Sequence, residues 1–224
     1  MNTLFWVRHG ENPANLTTEF SCRRVDYSLT AKGRIQAQQT AAYFRTQPRI
    51  DALYCSPMRR TVETAEIIGQ ALRLAPIAVE DLREINVGDL EEAIPDAANW
   101  ARHDAVMAAW VAGQTELAFP GGESALALHA RMNAGLMQVA GEGDGRRLLV
   151  IGHGGALWVH LPFLCPGVSY STLGENHNCS VTELAVRRGA TGLTGRLLRY
   201  GDVSHLTGFA ADLVSALPDA GAFP

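Results

Sequence analysis

The sequence predicts a three-layer α/β/α fold with helices on both faces of a mostly parallel, mixed central sheet. Three observations point to it. Short runs rich in β-branched, aromatic and aliphatic residues alternate with longer segments of helical spacing, the pattern of strand–helix–strand units. Three of those runs end in polar or glycine-rich residues, Arg8-His9-Gly10, Ser56-Pro57 and Gly152-His153-Gly154-Gly155, at the strand ends where open α/β sheets bind ligands. The length of 224 residues, with 47% apolar and 19% charged side chains, suits one domain that buries a full core. One domain over residues 1–224 is expected, with a lid-like excursion at about 80–122 and a small-residue tail that frays after about 215.

Each element has its own signal. Thr3-Leu4-Phe5-Trp6-Val7 reads as a buried strand. A polar stretch follows, and Thr30 then offers an N-cap to a helix reaching about Phe44. Ala52-Leu53-Tyr54-Cys55 is a second strand, after which Ser56 reads as an N-cap and Pro57 as the first helical residue. Met58, Val62, Ala65, Ile68 and Leu72 recur at helical spacing, with Arg60 and Thr64 off that stripe. Ile77-Ala78-Val79 is a third strand. The excursion, broken by Pro95, Pro120 and Gly121-Gly122, holds one helix near Trp100 to Val111. Trp100, Met107 and Trp110 either line a pocket there or pack its wall. Glu123 to about Val139 is helical, Arg147 to Ile151 is an apolar strand, and His153 opens a further helix through Leu164. Cys179 to Arg187 and Leu193 to Tyr200 are strand-like runs joined by a glycine-containing turn, the place for antiparallel strands.

Composition excludes several classes. A net charge of −4 supplies no general field for nucleic acid or an anionic membrane, and no apolar stretch approaches the length of a membrane span. Neither is expected as a partner. Of nineteen cationic residues, only Lys32 is Lys, and no glycine loop precedes it, which argues against Schiff-base or P-loop chemistry. Cys22, Cys55, Cys165 and Cys179 form no C-x-x-C pair and read as free thiols. Met1 is followed at once by a strand, so the cytoplasm is the expected compartment. His103, His129, His160 and His177 show no metal-ligand spacing, and neither metal nor cofactor is expected.

The strand-end residues suit phosphoryl transfer. A phosphoryl group needs cationic donors around its oxygens and, for a covalent route, an in-line nucleophile. Arg8, Arg60, His9 and His153 can provide these. A neutral imidazole attacks through one nitrogen while a backbone carbonyl holds the other, and neighbouring arginines keep it neutral. One carboxyl group can serve as acid and then base, and Glu84 is the candidate within an acidic stretch that also holds Asp81, Asp89, Glu91 and Glu92. Gly10, Gly154 and Gly155 would let backbone N–H groups approach an anion. Arg23 and Arg24 either reach a second anionic group of a substrate or lie in a solvated loop. Pro120 to Ser124 could be only a turn and cap.

These residues resemble the histidine phosphatase superfamily, the phosphoglycerate-mutase-like fold, in its cytoplasmic phosphatase branch. Arg8-His9-Gly10-Glu11 with Asn15 is similar to the signature R-H-G-E-x-x-x-N, and Asp26 to Ala37 to D-x-x-L-T-x-x-G-x-x-Q-A. Ser56 to Ala65 resembles S-P-L-x-R-A-x-x-T-A, in a register that selects Arg60 rather than Arg59. Leu82-Arg83-Glu84, Pro120-Gly121-Gly122-Glu123-Ser124 and Val150 to Gly155 resemble three later motifs, and Asn178 to Thr182 with His205-Leu206 resembles the C-terminal pattern. The resemblance implies that His9 is phosphorylated, that Arg8, Arg60 and His153 bind the phosphoryl group with help from Asn15, and that Glu84 moves the proton. After Glu84 the common W-E-G is replaced, and Ile85 and Val87 stand where the mutase branch has Arg and Tyr. The expected activity is therefore metal-independent hydrolysis of a small phosphorylated substrate through phosphohistidine, by a monomer or homodimer. The alternatives are a phosphoglycerate mutase and an idle phospho-ligand binding protein.

Overall fold

A computed structural model describes residues 1–190 and 192–213, so the tail expected to fray after about 215 lies outside the described residues. Six strands form one sheet in the order β3-β2-β4-β1-β5-β6: β1 (Asn2–Arg8), β2 (Ala52–Cys55), β3 (Pro76–Ala78), β4 (Arg147–Gly152), β5 (Val181–Arg188) and β6 (Leu193–Asp202). The first four are mutually parallel, and β5 runs antiparallel to both β1 and β6. The mixed sheet, with its antiparallel part contributed by the C-terminal strands, agrees with the sequence reading.

Alternation along each buried strand decides which layer a side chain joins. In β1, Phe5 and Val7 face one layer with Leu53, Leu149 and Ile151, under α2 (Ala31–Thr46) and α3 (Arg59–Leu72). Leu4 and Trp6 face the other with Tyr54, Leu148 and Val150, under α5 (Ala125–Ala140) and α6 (Gly154–Leu164). The chain leaves β1 towards β2 and leaves the adjacent β4 towards β5 on the far side of β1. The first connection carries α2 over one face and the second carries α6 over the other, so the adjacent ends of β1 and β4 form the switch point at which such sheets open a crevice.

Two sequence expectations are corrected. Residues 13–17 of the polar stretch form a short helix, α1 (Pro13–Thr17). Asn12 caps it, and the Asn15 side chain returns a bond to the Asn12 N–H at 3.1 Å. Five residues are too few to show an apolar period. Second, α3 starts at Arg59 rather than Pro57, and its N-cap residue Met58 makes no side-chain cap. The cap comes from a distant loop instead: the Asp26 carboxylate accepts the Arg59 N–H at 2.9 and 3.0 Å. The excursion holds α4 (Ala97–Val111), as expected, after two 3-10 turns at Glu80–Leu82 and Gly88–Glu92.

The crossing of α2 over the end of β1 is close enough to require glycine on both sides. A Cβ on Gly10 would lie 2.5 Å from the Gly33 carbonyl oxygen, and one on Gly33 would lie 2.1 Å from that of Glu11. The approach sets the position of the segment that follows His9.

Candidate active site

His9 leaves β1 with its backbone tied on both sides. Its N–H donates to the Gly152 carbonyl at 3.0 Å, and its own carbonyl accepts from Asn178 Nδ2 at 3.0 Å. Its ring nitrogen Nδ1 lies 2.8 Å from the Gly10 carbonyl oxygen. A carbonyl can only accept, so Nδ1 carries the proton and Nε2 keeps its lone pair. Burial lowers the His9 pKa well below its ordinary value, and the Arg60 and Arg8 charges lower it further, against the opposing bond to Gly10. The imidazole is neutral, with its available lone pair on Nε2.

Arg60, off the apolar stripe of α3, is nonetheless only 2% exposed. Its guanidinium donates to Ser21 Oγ and to the Ser21 carbonyl, both at 2.9 Å, and to His153 Nδ1 at 3.0 Å. Because Arg60 only donates, His153 Nδ1 accepts and the ring proton sits on Nε2, which donates to Ser56 Oγ at 2.8 Å. Burial, then Arg60 and His9, hold His153 well below the usual histidine range. Asp26 supports the same guanidinium at 3.7 Å. The loop carrying Ser21 is ordered by Glu91: its Oε1 accepts the N–H groups of Cys22, Arg23, Arg24 and Val25 at 2.6 to 3.1 Å. Burial opposes ionisation of Glu91, but the N–H bonds outweigh it and leave the pKa below the usual carboxylate range.

Arg8 closes the other side of the site. Its guanidinium donates to the Asn176 carbonyl, and burial, countered in part by Glu84, draws its pKa to about 10, so it is cationic at neutral pH. Glu84 rests on the N-terminus of α6. Its Oε1 accepts from Ala156 N at 2.6 Å and Ile85 N at 2.9 Å, while Oε2 takes one longer bond from Gly155 N at 3.3 Å. The backbone beneath Glu84 is clamped from α5. Arg131 donates to the carbonyls of Asp81 and Arg83 at 2.9 Å and of Glu84 at 3.0 Å, and pairs with Glu123 at 2.6 Å. Glu123 in turn accepts the Asn86 N–H at 2.7 Å.

His9, Arg8, Arg60 and Glu84 meet at a cavity of about 810 Å³ walled by α4, α6 and the loop after α1. The sequence pattern defining the Histidine phosphatase superfamily (branch 1) matches residues 4–196. The chain belongs to the histidine phosphatase superfamily. It is 32% identical to "Probable phosphoglycerate mutase GpmB" of Proteus mirabilis over 96% of this chain and 99% of that one. It is likewise 32% identical to "Phosphoglycerate mutase-like protein 4" of Arabidopsis thaliana, over 91% and 87% of the two chains. Among solved structures, Bacillus stearothermophilus YhfR superposes with a TM-score of 0.74 at 26% identity, covering 92% of this chain and 99% of that one. A mycobacterial glucosyl-3-phosphoglycerate phosphatase superposes with a TM-score of 0.75 at 22% identity, over 90% and 99%, which shows a common fold.

The histidine phosphatase motifs distribute around the cavity unequally. Asn15 and Gly154 line it with His9, Arg8, Arg60 and Glu84. Asn15 Oδ1 accepts from Asn178 Nδ2 at 3.1 Å as well as from Asn12, so this amide ties α1 to the backbone of His9. His153 is fully buried behind Arg60, its ring 5.5 Å from that of His9. Three expectations fail. The Gly10 N–H is not presented to an anion, because it donates to Thr64 Oγ1 at 3.0 Å. Arg24 does not reach the cavity; its exposed side chain pairs with Glu92. Gly155 and Ala156 likewise spend their N–H groups on Glu84. Of the acidic residues between 80 and 92, Glu84 is the one on the cavity wall. The sequence reading missed Ser56 as the partner of His153, Ser21 as that of Arg60, and Glu91 as the anchor of its loop. Asn178 and Ser56 lay within motifs and Glu91 within the acidic stretch, with nothing to mark it as an anchor, while Ser21 carried no signal.

Proposed function

We propose that this histidine phosphatase hydrolyses a small phosphomonoester and carries the phosphoryl group on His9. The carrying observation is the tautomer: with Nδ1–H held by Gly10, the lone pair of Nε2 is the reactive one, beside two buried guanidinium groups. In the first step His9 Nε2 bonds to phosphorus as the phosphorus–oxygen bond to the alcohol breaks, and Glu84 gives its proton to the departing oxygen. Oε2, with its single long bond, is the atom suited to hold that proton. Water then bonds to phosphorus, passes a proton to Glu84, and the phosphorus–nitrogen bond breaks. Arg8 and Arg60 neutralise the phosphoryl oxygens throughout, with His153 buttressing Arg60 from behind. Four free, buried cysteines support a reducing cytoplasm as the place of action.

Turnover of p-nitrophenyl phosphate with excess EDTA, together with acid-labile labelling, tests the reading. His9→Ala is expected to lose the label, whereas Glu84→Gln forms it and turns over slowly. No hydrolysis in EDTA, or equal labelling of the His9 variant, overturns it. A mutase is the second reading, favoured by the names of the two relatives. Interconversion of 2- and 3-phosphoglycerate at a rate above hydrolysis decides for it.

A further inference from the structure

The phosphoryl end accounts for a small part of the cavity. The remainder is walled by rings from separate parts of the chain. Phe20, from the loop after α1, lies 4.4 Å from Trp100 of α4, ring centre to ring centre, and His103 packs on both at 5.4 and 5.1 Å. Trp158 of α6 pairs with Tyr170 at 4.5 Å. Met107 and Leu173 add aliphatic wall. The volume is that of pockets that enclose whole organic ligands, far beyond a phosphate ion.

The charge is as one-sided as the packing. Among the described residues, Arg8 and Arg60 are the Arg and Lys side chains on the wall, and both stand at the phosphoryl end. Arg24, which could have met a second anion, is tied to Glu92 outside. Beyond Glu84 the wall carries further carboxylates, Glu19, Asp104 and Glu175. A carboxylate or second phosphate on the leaving group would lose its water beside like charges and meet no cation.

We propose that the cavity selects phosphomonoesters whose leaving alcohol is bulky, apolar and ring-bearing and carries no second negative charge. This rests on the phosphatase reading and adds the class of its substrate. Phe20, Trp100 and His103 stack on the ring, and Glu19 and Asp104 reject anionic alcohols.

Three alkyl esters of similar leaving ability separate size from charge: 2-phenylethyl phosphate, glycerol 3-phosphate and 3-phosphoglycerate, with p-nitrophenyl phosphate as the control for chemistry. Values of kcat/KM are expected to fall in that order, the first exceeding 3-phosphoglycerate by about 100-fold. Trp100→Ala is expected to narrow the ratio of 2-phenylethyl phosphate to glycerol 3-phosphate by about tenfold, mainly through KM. Asp104→Lys is expected to raise the ratio of 3-phosphoglycerate to glycerol 3-phosphate. If 3-phosphoglycerate is turned over as well as the phenylethyl ester, or neither ratio moves in its variant, the inference is overturned while hydrolysis of p-nitrophenyl phosphate leaves the phosphatase reading standing. Failure on all four esters overturns that reading and the inference with it.

Discussion

At the scale of single residues, the site is a statement about where protons sit. Gly10 fixes the His9 proton on Nδ1, while Arg60 and Ser56 fix that of His153 on Nε2. His153 Nδ1 is thus an acceptor, and a phosphoryl dianion has only acceptors to offer. Direct ligation by His153 therefore requires Nδ1 to gain a proton as Arg60 turns its donor to the anion. Uptake of close to one proton is expected when sulfate binds near pH 7.5, a pH above the ordinary histidine value of 6.5. Sulfate stays dianionic in this range, so calorimetry in two buffers of different ionisation enthalpy reads the uptake, and affinity should weaken as pH rises. Binding without uptake would leave His153 as a positioning residue that acts through Arg60. His9, Arg8, Arg60 and Glu84 were legible because each is fixed within a short motif. The fates of Gly10 and Arg24 were not, since Thr64 and Glu92 become their neighbours only through tertiary packing.

At the scale of elements, strands were the most legible. β2 falls on the apolar run Ala52–Cys55, and β4 extends the expected run by one residue, because interior strands are apolar on both faces. Less was legible where a chain end is satisfied from afar, as at the start of α3, whose first N–H is taken by Asp26. The segment bearing Glu84 is of this kind. It has no regular structure around residues 83–87 and owes its place to Arg131 of α5, which spans three carbonyls, and to Glu123, which holds Arg131. P-G-G-E-S was readable as a turn and cap, and Ser124 does cap α5, but the clamp spans some forty residues and left no periodic trace. Arg131→Gln is expected to leave phosphohistidine formation detectable while lowering kcat by roughly 10- to 100-fold, the cost of misplacing a catalytic group by about an ångström. Single-turnover labelling against steady-state turnover checks this, and a kcat near that of the parent protein would remove the clamp from the mechanism.

At the scale of the whole molecule, the fold buries its histidines neutral. His9, His153 and His160 all have pKa values drawn down first by burial, that of His160 to about 3 with help from His129. His160 lies far along α6 from the strand ends, between α5 and α6, with its Nδ1 3.3 Å from that of His129. In the unfolded chain each returns to its ordinary value of 6.5. Below that pH the unfolded state binds protons that the folded state refuses, so stability is fully present above 6.5 and is lost as pH falls through it. Each fully neutral histidine costs about 1.4 kcal/mol per pH unit below its unfolded value. The carboxylates Glu91 and Asp202 titrate at lower pH, from ordinary values of 4.5 and 3.8, and leave the window from 7.5 to 5.5 to the histidines. Urea unfolding is therefore expected to show a loss of at least about 4 kcal/mol between pH 7.5 and 5.5, the sum for these three sites, to which His129 and His205, also drawn down by burial, add. His160→Gln should remove about 1.4 kcal/mol of that loss. Because His160 lies outside the cavity, the variant separates proton linkage of the fold from events at the site. A stability unchanged across this window would mean that the buried imidazoles accept protons in place, and the neutral, nucleophilic His9 would fall with them.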